Sequence, residues 1–161
     1  MSAPRYIQEN LSRQVQALRG LLALLEEEFA LLRESRSQDV TQLELSLQEL
    51  MRQIMSERLG LRRLIREVDP NSSRLSHIAD FLPPEIREAS AQLARLMDAT
   101  EQRCAIQAEQ NRVLALALHD QSTALLGYLH EQIVPRQGNT YGAGGRMARQ
   151  SIEPQLLRGR F

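Results

Sequence analysis

LSRQVQALRGLLALLEEEFALL, residues 11–32, sets large apolar side chains at Leu11, Val15, Leu18, Leu22, Leu25, Phe29 and Leu32. The steps alternate between four and three without a break, which lines one side of a helix with a heptad seam. Downstream, a second seam runs Val40, Leu43, Leu47, Leu50, Ile54, skips Glu57, and resumes at Leu61, Leu64 and Val68. Only the short polar break Glu34-Ser-Arg-Ser-Gln-Asp39 separates the two, so the second helix must fold back antiparallel to the first. The opening element is therefore a helical hairpin. Glu57, where the seam fails, is expected to turn outward and be solvated or paired with an arginine; an ion pair that fixes the register of the hairpin is the sharper alternative.

Asp69-Pro-Asn-Ser-Ser73 ends the second helix, since proline cannot continue it and Asn and Ser favour turns. A weak helical turn is predicted around Leu75 to Phe81. Pro83-Pro84-Glu85 then opens a third helix, with proline in the first turn and a carboxylate near the positive helix end. No Gly or Pro interrupts it before Gly127, and the next proline is Pro135. Such a helix reaches on the order of 70 Å, against roughly 45 Å for each arm of the hairpin. It must bend or overhang.

The predicted fold is all-α: an antiparallel helical hairpin plus a long third helix forming a three-helix, coiled-coil-like bundle over residues 1–135, with a flexible C-terminal tail over 136–161. Composition agrees. Aromatic residues make up 4% of the chain and there is no Trp, so the core must come from Leu, Ile, Val, Met and Ala, as in interlocking helices.

The third helix changes character along its length. Ile86, Leu93 and Met97 are ordinary contacts, but the next seam positions are Thr100, Cys104, Gln107 and Asn111, polar or small where a core takes leucine. Leu114, Leu118, Leu125 and Leu129 then restore an apolar stripe that Leu116, Leu126 and Ile133 broaden. This is more apolar surface than one antiparallel partner needs. It is either core against the middle of the hairpin or a surface held for a partner helix.

The chain has no net charge, but the balance is uneven: residues 1–135 carry 15 arginines and 19 acids, whereas 136–161 carry five arginines and one glutamate. With that basic charge spread thinly and only Tyr141 and Phe161 able to stack on bases, no nucleic-acid partner is expected. No run of about 18 apolar residues occurs, so no membrane insertion is expected. The first residues lack the layout of a signal peptide, and the single cysteine, Cys104, permits no internal disulfide; the expected location is cytoplasmic.

The inventory for catalysis is nearly empty. His119 and His130 lie about 16 Å apart along one helix and cannot share a metal. No Glu-x-x-His pair is present, and Cys104 sits on an internal face where an inert thiol is the default. Gly138-Asn-Thr-Tyr-Gly-Ala-Gly-Gly-Arg-Met147 has no lysine, no preceding strand and no following helix, so it is not a phosphate loop. Neither enzyme activity, cofactor nor metal is expected.

Three stretches carry a likeness to a known family: Ser56-Glu-Arg-Leu-Gly-Leu-Arg-Arg-Leu-Ile65, Glu109-Gln-Asn-Arg-Val-Leu114 with the amphipathic run to Ile133, and Thr140-Tyr-Gly-Ala-Gly-Gly-Arg146. Together they resemble the FlgN family of flagellar export chaperones. The resemblance implies clients among the hook–filament junction proteins (FlgK and FlgL type) and docking to the cytoplasmic domain of the export gate (FlhA type). By resemblance, Asn111 takes the place of the family's helix asparagine, and Leu114, Leu118, Leu125, Leu126, Leu129 and Ile133 lie in its client-binding segment. Tyr141, with Gly142 and Gly145 of the Tyr-Gly-x-x-Gly box, takes the place of the gate-docking tail. A structural or self-assembling coiled-coil protein without a client is the alternative.

Overall fold

The computed structural model describes residues 3–133. The expected domain boundary at 135/136 and the tail residues Tyr141, Gly142 and Gly145 lie outside them. Three helices account for most of the chain: α1, Ala3–Arg33; α2, Ser37–Val68; and α3, Pro84–Ile133. Two short 3-10 turns, Leu75–His77 and Ala79–Phe81, fill the connection where one weak turn was expected. Spatial proximity divides the chain into two units that meet inside α3, Met1–Ser122 and Thr123–Phe161.

The hairpin turn is tighter than its composition suggests. Ser35 adopts a left-handed backbone with φ 56°. Its N–H donates to Leu32 O at 3.0 Å, and that of Arg36 donates to Leu31 O at 3.0 Å. This crossed pair of bonds is the Schellman ending, which satisfies the last carbonyls of α1 and sends the chain back. At the other end of α2, Asp69 accepts from Asn71 N at 3.1 Å and from the Ser72 hydroxyl, while its carbonyl accepts from Ser72 N at 3.0 Å. Pro84 occupies the first position of α3, as predicted.

Within the first unit, the α1 seam is core: Leu11, Val15, Leu18, Leu22 and Leu25 are buried, joined by Ile7. On α2, Leu47 and Ile54 are buried, but near its end Ile65 takes the central place while Leu61 and Leu64 are half-buried. The reason lies beyond the helix: Ile78 and Leu82 from the connection cluster with Ile7, Leu11 and Ile65, and Leu93 and Met97 of α3 pack on that cluster. Where the α2 seam skips, Glu57 is paired with an arginine, as expected. Arg13 Nε donates to Glu57 Oε1 at 2.9 Å, and Asn10 Nδ2 donates to both Glu57 Oε2 at 2.6 Å and the Glu57 carbonyl at 3.0 Å. Asn10 is itself buried and receives Gln14 Nε2 at 2.6 Å, so the polar patch crosses from solvent into the hairpin seam.

α3 joins the hairpin differently. Its buried residues are Ser90, Thr100, Cys104 and Asn111, with no large apolar side chain among them. Cys104 completes a cluster with Leu22, Leu25 and Leu47, its thiol donating to Leu18 O at 3.5 Å. Asn111 Nδ2 donates to Leu25 O at 2.8 Å. Both bonds link positions 86 apart, so α3 runs parallel to α1 at a constant offset, and Arg33, the last residue of α1, falls level with His119. Each such bond contributes about 0.5–1.5 kcal/mol net, whereas a buried leucine contributes about 1.5–3 kcal/mol. The first turns of α3 are anchored by apolar packing; from Thr100 onward the attachment is largely polar.

Candidate functional site

The distal half of α3 carries the candidate binding surface. At about 100° per residue, Leu118 of the first unit lies on the same side of the helix as Thr100, Cys104 and Asn111, and in the second unit Leu125, Leu126, Leu129 and Ile133 fall within an arc of about 100°. Asn111 is 4% exposed, Leu114 and Leu118 are half-buried, and Leu125, Leu126, Leu129 and Ile133 are 57, 67, 42 and 62% exposed. These four are the exposed apolar residues of the second unit's helical face. From Leu125 to Ile133 the segment measures about 12 Å along the helix axis.

Asn111 has a defined task in the free chain. Besides Leu25 O, its amide nitrogen reaches Glu28 Oε2 at 2.6 Å, and its own oxygen accepts from Gln107 Nε2 at 3.0 Å. It stands at the boundary between the covered and the exposed part of the face, and holds α3 to α1 there. On either side of it in sequence, Glu109 and Arg112 form an exposed pair at 2.7 Å. The guanidinium holds the Glu109 carboxyl below its usual range, and the carboxylate raises Arg112 in return.

Other exposed apolar side chains escaped sequence reasoning. Tyr128 is 59% exposed within the same segment, and its off-stripe position in a helix with few aromatics was the available signal. On α2, Met51, Met55 and Leu59 recur at four-residue steps and are exposed, as is Leu45; a residue outside the seam is ordinarily read as solvated surface, so periodicity gave no notice of them.

Cys104 is 6% exposed, and burial pushes its thiol up, away from the reactive thiolate. Among the described residues, no group of three or more His, Cys, Asp and Glu is placed to hold a metal, and no helix is long and apolar enough to cross a membrane.

A helical hairpin, a long third helix and an exposed apolar segment at its distal end are what a protein-binding scaffold needs. A comparison with family models is decisive on which one: the model described as FlgN protein matches residues 1–149. The chain belongs to the FlgN family. It is accordingly a flagellar export chaperone, one of a family that binds flagellar proteins for export. The match spans all of α1, α2 and α3 and reaches past Tyr141, Gly142 and Gly145. No curated protein and no solved structure matches the chain.

Proposed function

We propose that this FlgN-family chain works in the cytoplasm, holds hook–filament junction proteins of the FlgK and FlgL type, and delivers them to the cytoplasmic domain of an export gate of the FlhA type. Residues 1–135 form the holding body and 136–161 the docking tail. Clients with apolar terminal helices would pair prematurely with one another. The stripe Leu114, Leu118, Leu125, Leu126, Leu129 and Ile133 covers such a helix, with Asn111 positioning the segment rather than reaching the client itself. Tyr141 then docks at the gate, its ring filling a pocket while Gly142 and Gly145 let the two backbones approach.

The observation that carries this reading is the exposure of Leu125, Leu126, Leu129 and Ile133 together on one helix face. Single exposed leucines are ordinary, but a contiguous apolar face marks a binding surface. Burying it contributes roughly 25 cal/mol per Å² before ordering costs, enough for firm but reversible holding without nucleotide chemistry.

The test compares the intact chain with Leu125→Asp/Leu129→Asp, a truncation after Pro135, and Tyr141→Ala, each used to capture partners from motile bacteria. The double aspartate variant is expected to weaken junction-protein binding about 100-fold in calorimetry, with unchanged helicity. The truncation and Tyr141→Ala keep the client and lose the gate. If the double variant binds junction proteins as tightly as the intact chain, the stripe is not the client surface. A stripe-dependent dimer in light scattering, with no flagellar protein captured, replaces the chaperone reading with self-assembly.

A further inference from the structure

We propose that α3 from Thr100 to Leu118 is a hinged lid, which lifts off the leucines of α1 to admit an amphipathic client helix with basic flanks. The inference rests on the client reading above for the identity of the occupant, but not for the lid itself.

Three observations place the hinge and the latch. First, the proximal part of α3 is fixed: Leu93 and Met97 pack on the Ile7, Leu11, Ile65, Ile78 and Leu82 cluster. Second, apolar anchoring stops at that point, where the Thr100 hydroxyl donates to Leu96 O at 2.7 Å. A side chain bonded back to the carbonyl four residues earlier weakens and bends a helix locally, so the boundary coincides with a built-in point of compliance. Third, beyond Thr100 the buried residues are only Thr100 itself, Cys104 and Asn111, with Leu114 and Leu118 half-buried, while Ile106, Val113 and Leu116 face outward and are exposed. The latch is therefore Asn111 on Leu25 O and Glu28, the Cys104 thiol on Leu18 O, and the ion pair of Arg103 with Glu26 at 3.9 Å. Water replaces every one of these partners at little loss.

What the lid covers differs in kind from the lid. Beneath Cys104 lie Leu22, Leu25 and Leu47, with Leu21 and Leu24 beside them, a row of leucines capped by a side chain the size of cysteine. A client helix bearing leucines fills that row better than α3 does. Lifting the lid also releases Glu26 from Arg103 and Glu28 from Asn111. Two unpaired carboxylates then rim an apolar groove, which favours a helix with basic residues at its edges. Opening of this kind is a sub-global event, cheaper than unfolding the whole bundle.

Cys104, the sole cysteine, reports the motion directly. The intact chain is treated with a thiol reagent in native buffer and at low denaturant, and the labelling rate is compared with that required by global unfolding. A lid predicts labelling on the order of 100-fold faster than global unfolding allows, with little denaturant dependence. Asn111→Leu, which replaces a polar latch with an apolar one, is expected to slow labelling about tenfold. Labelling that tracks global unfolding in both rate and denaturant dependence overturns the lid.

The occupant is tested with two synthetic amphipathic leucine helices, one flanked by arginines and one by glutamates. The arginine-flanked peptide is expected to raise the labelling rate about tenfold by holding the lid open, and the glutamate-flanked peptide to leave it unchanged. No acceleration by the arginine-flanked peptide, or equal acceleration by both, overturns the proposed occupant. Because the labelling experiment uses neither client nor gate, its failure is separable from failure of the capture experiment.

Discussion

Ser35 holds a left-handed backbone that L-residues other than Asn and Asp rarely adopt, yet the turn that reverses the chain depends on it. Ser35→Gly is therefore expected to stabilise the fold by about 1 kcal/mol, seen as a higher midpoint in urea with an unchanged slope. Ser90 makes a second case, since its hydroxyl is buried with no hydrogen-bond partner among the described residues. Ser90→Ala removes the orphan group and improves helix propensity, so a gain of about 1 kcal/mol is expected by the same measurement; a loss would mean that the hydroxyl has a partner in solution. At this scale the sequence was partly legible. Glu57 announced itself by interrupting a seam, and Arg13 answers it across the hairpin. Asn10 and Gln14 gave no such signal, because polar residues beside a seam are ordinarily solvated; here both are buried, Asn10 bonded to Glu57, 47 positions away, and Gln14 bonded to Asn10.

Among the elements, periodicity carried most of the information. The seven-residue repeat of α1 reads as its buried face from Leu11 to Leu25, with Phe29 and Leu32 only half-buried, and the proline pair opens α3 where expected. Ile65 was missed because its burial comes from Ile78 and Leu82, which no helical repeat connects to it. The distal stripe of α3 shows the same limit in reverse: spacing reveals that a helix has an apolar side, but not whether anything lies against it. Gly20 offers a test of how tightly the hairpin arms are set. A Cβ there would stand 3.5 Å from Leu50 Cδ2, an ordinary contact, so space exists for a methyl group. Gly20→Ala is expected to raise stability by about 0.5–1 kcal/mol in thermal unfolding, through reduced freedom of the unfolded chain. A destabilised variant would show that α1 and α2 pack closer than that contact.

For the molecule as a whole, acid sensitivity can be assigned at one connection. The Ser72 hydroxyl and, after it, the Asn71 N–H hold the Asp69 carboxyl below the usual carboxylate range. A folded-state value below the unfolded one contributes stability above the unfolded pKa, near 4, and that contribution is lost as pH falls through the lower folded value. Asp69→Ala is thus expected to lower the melting temperature at pH 7 and to converge with the parent as the pH falls through the lowered folded-state value. A gap that stays constant across that range would assign the effect to turn geometry rather than to charge. The parallel offset between α1 and α3 has a practical corollary for anyone labelling this chaperone. Leu93 packs on the cluster that holds Ile7, so the first turns of α1 and of α3 lie side by side. A fluorophore at an exposed position of the first turns of α1, such as Arg5, thus reports on the anchored end of α3.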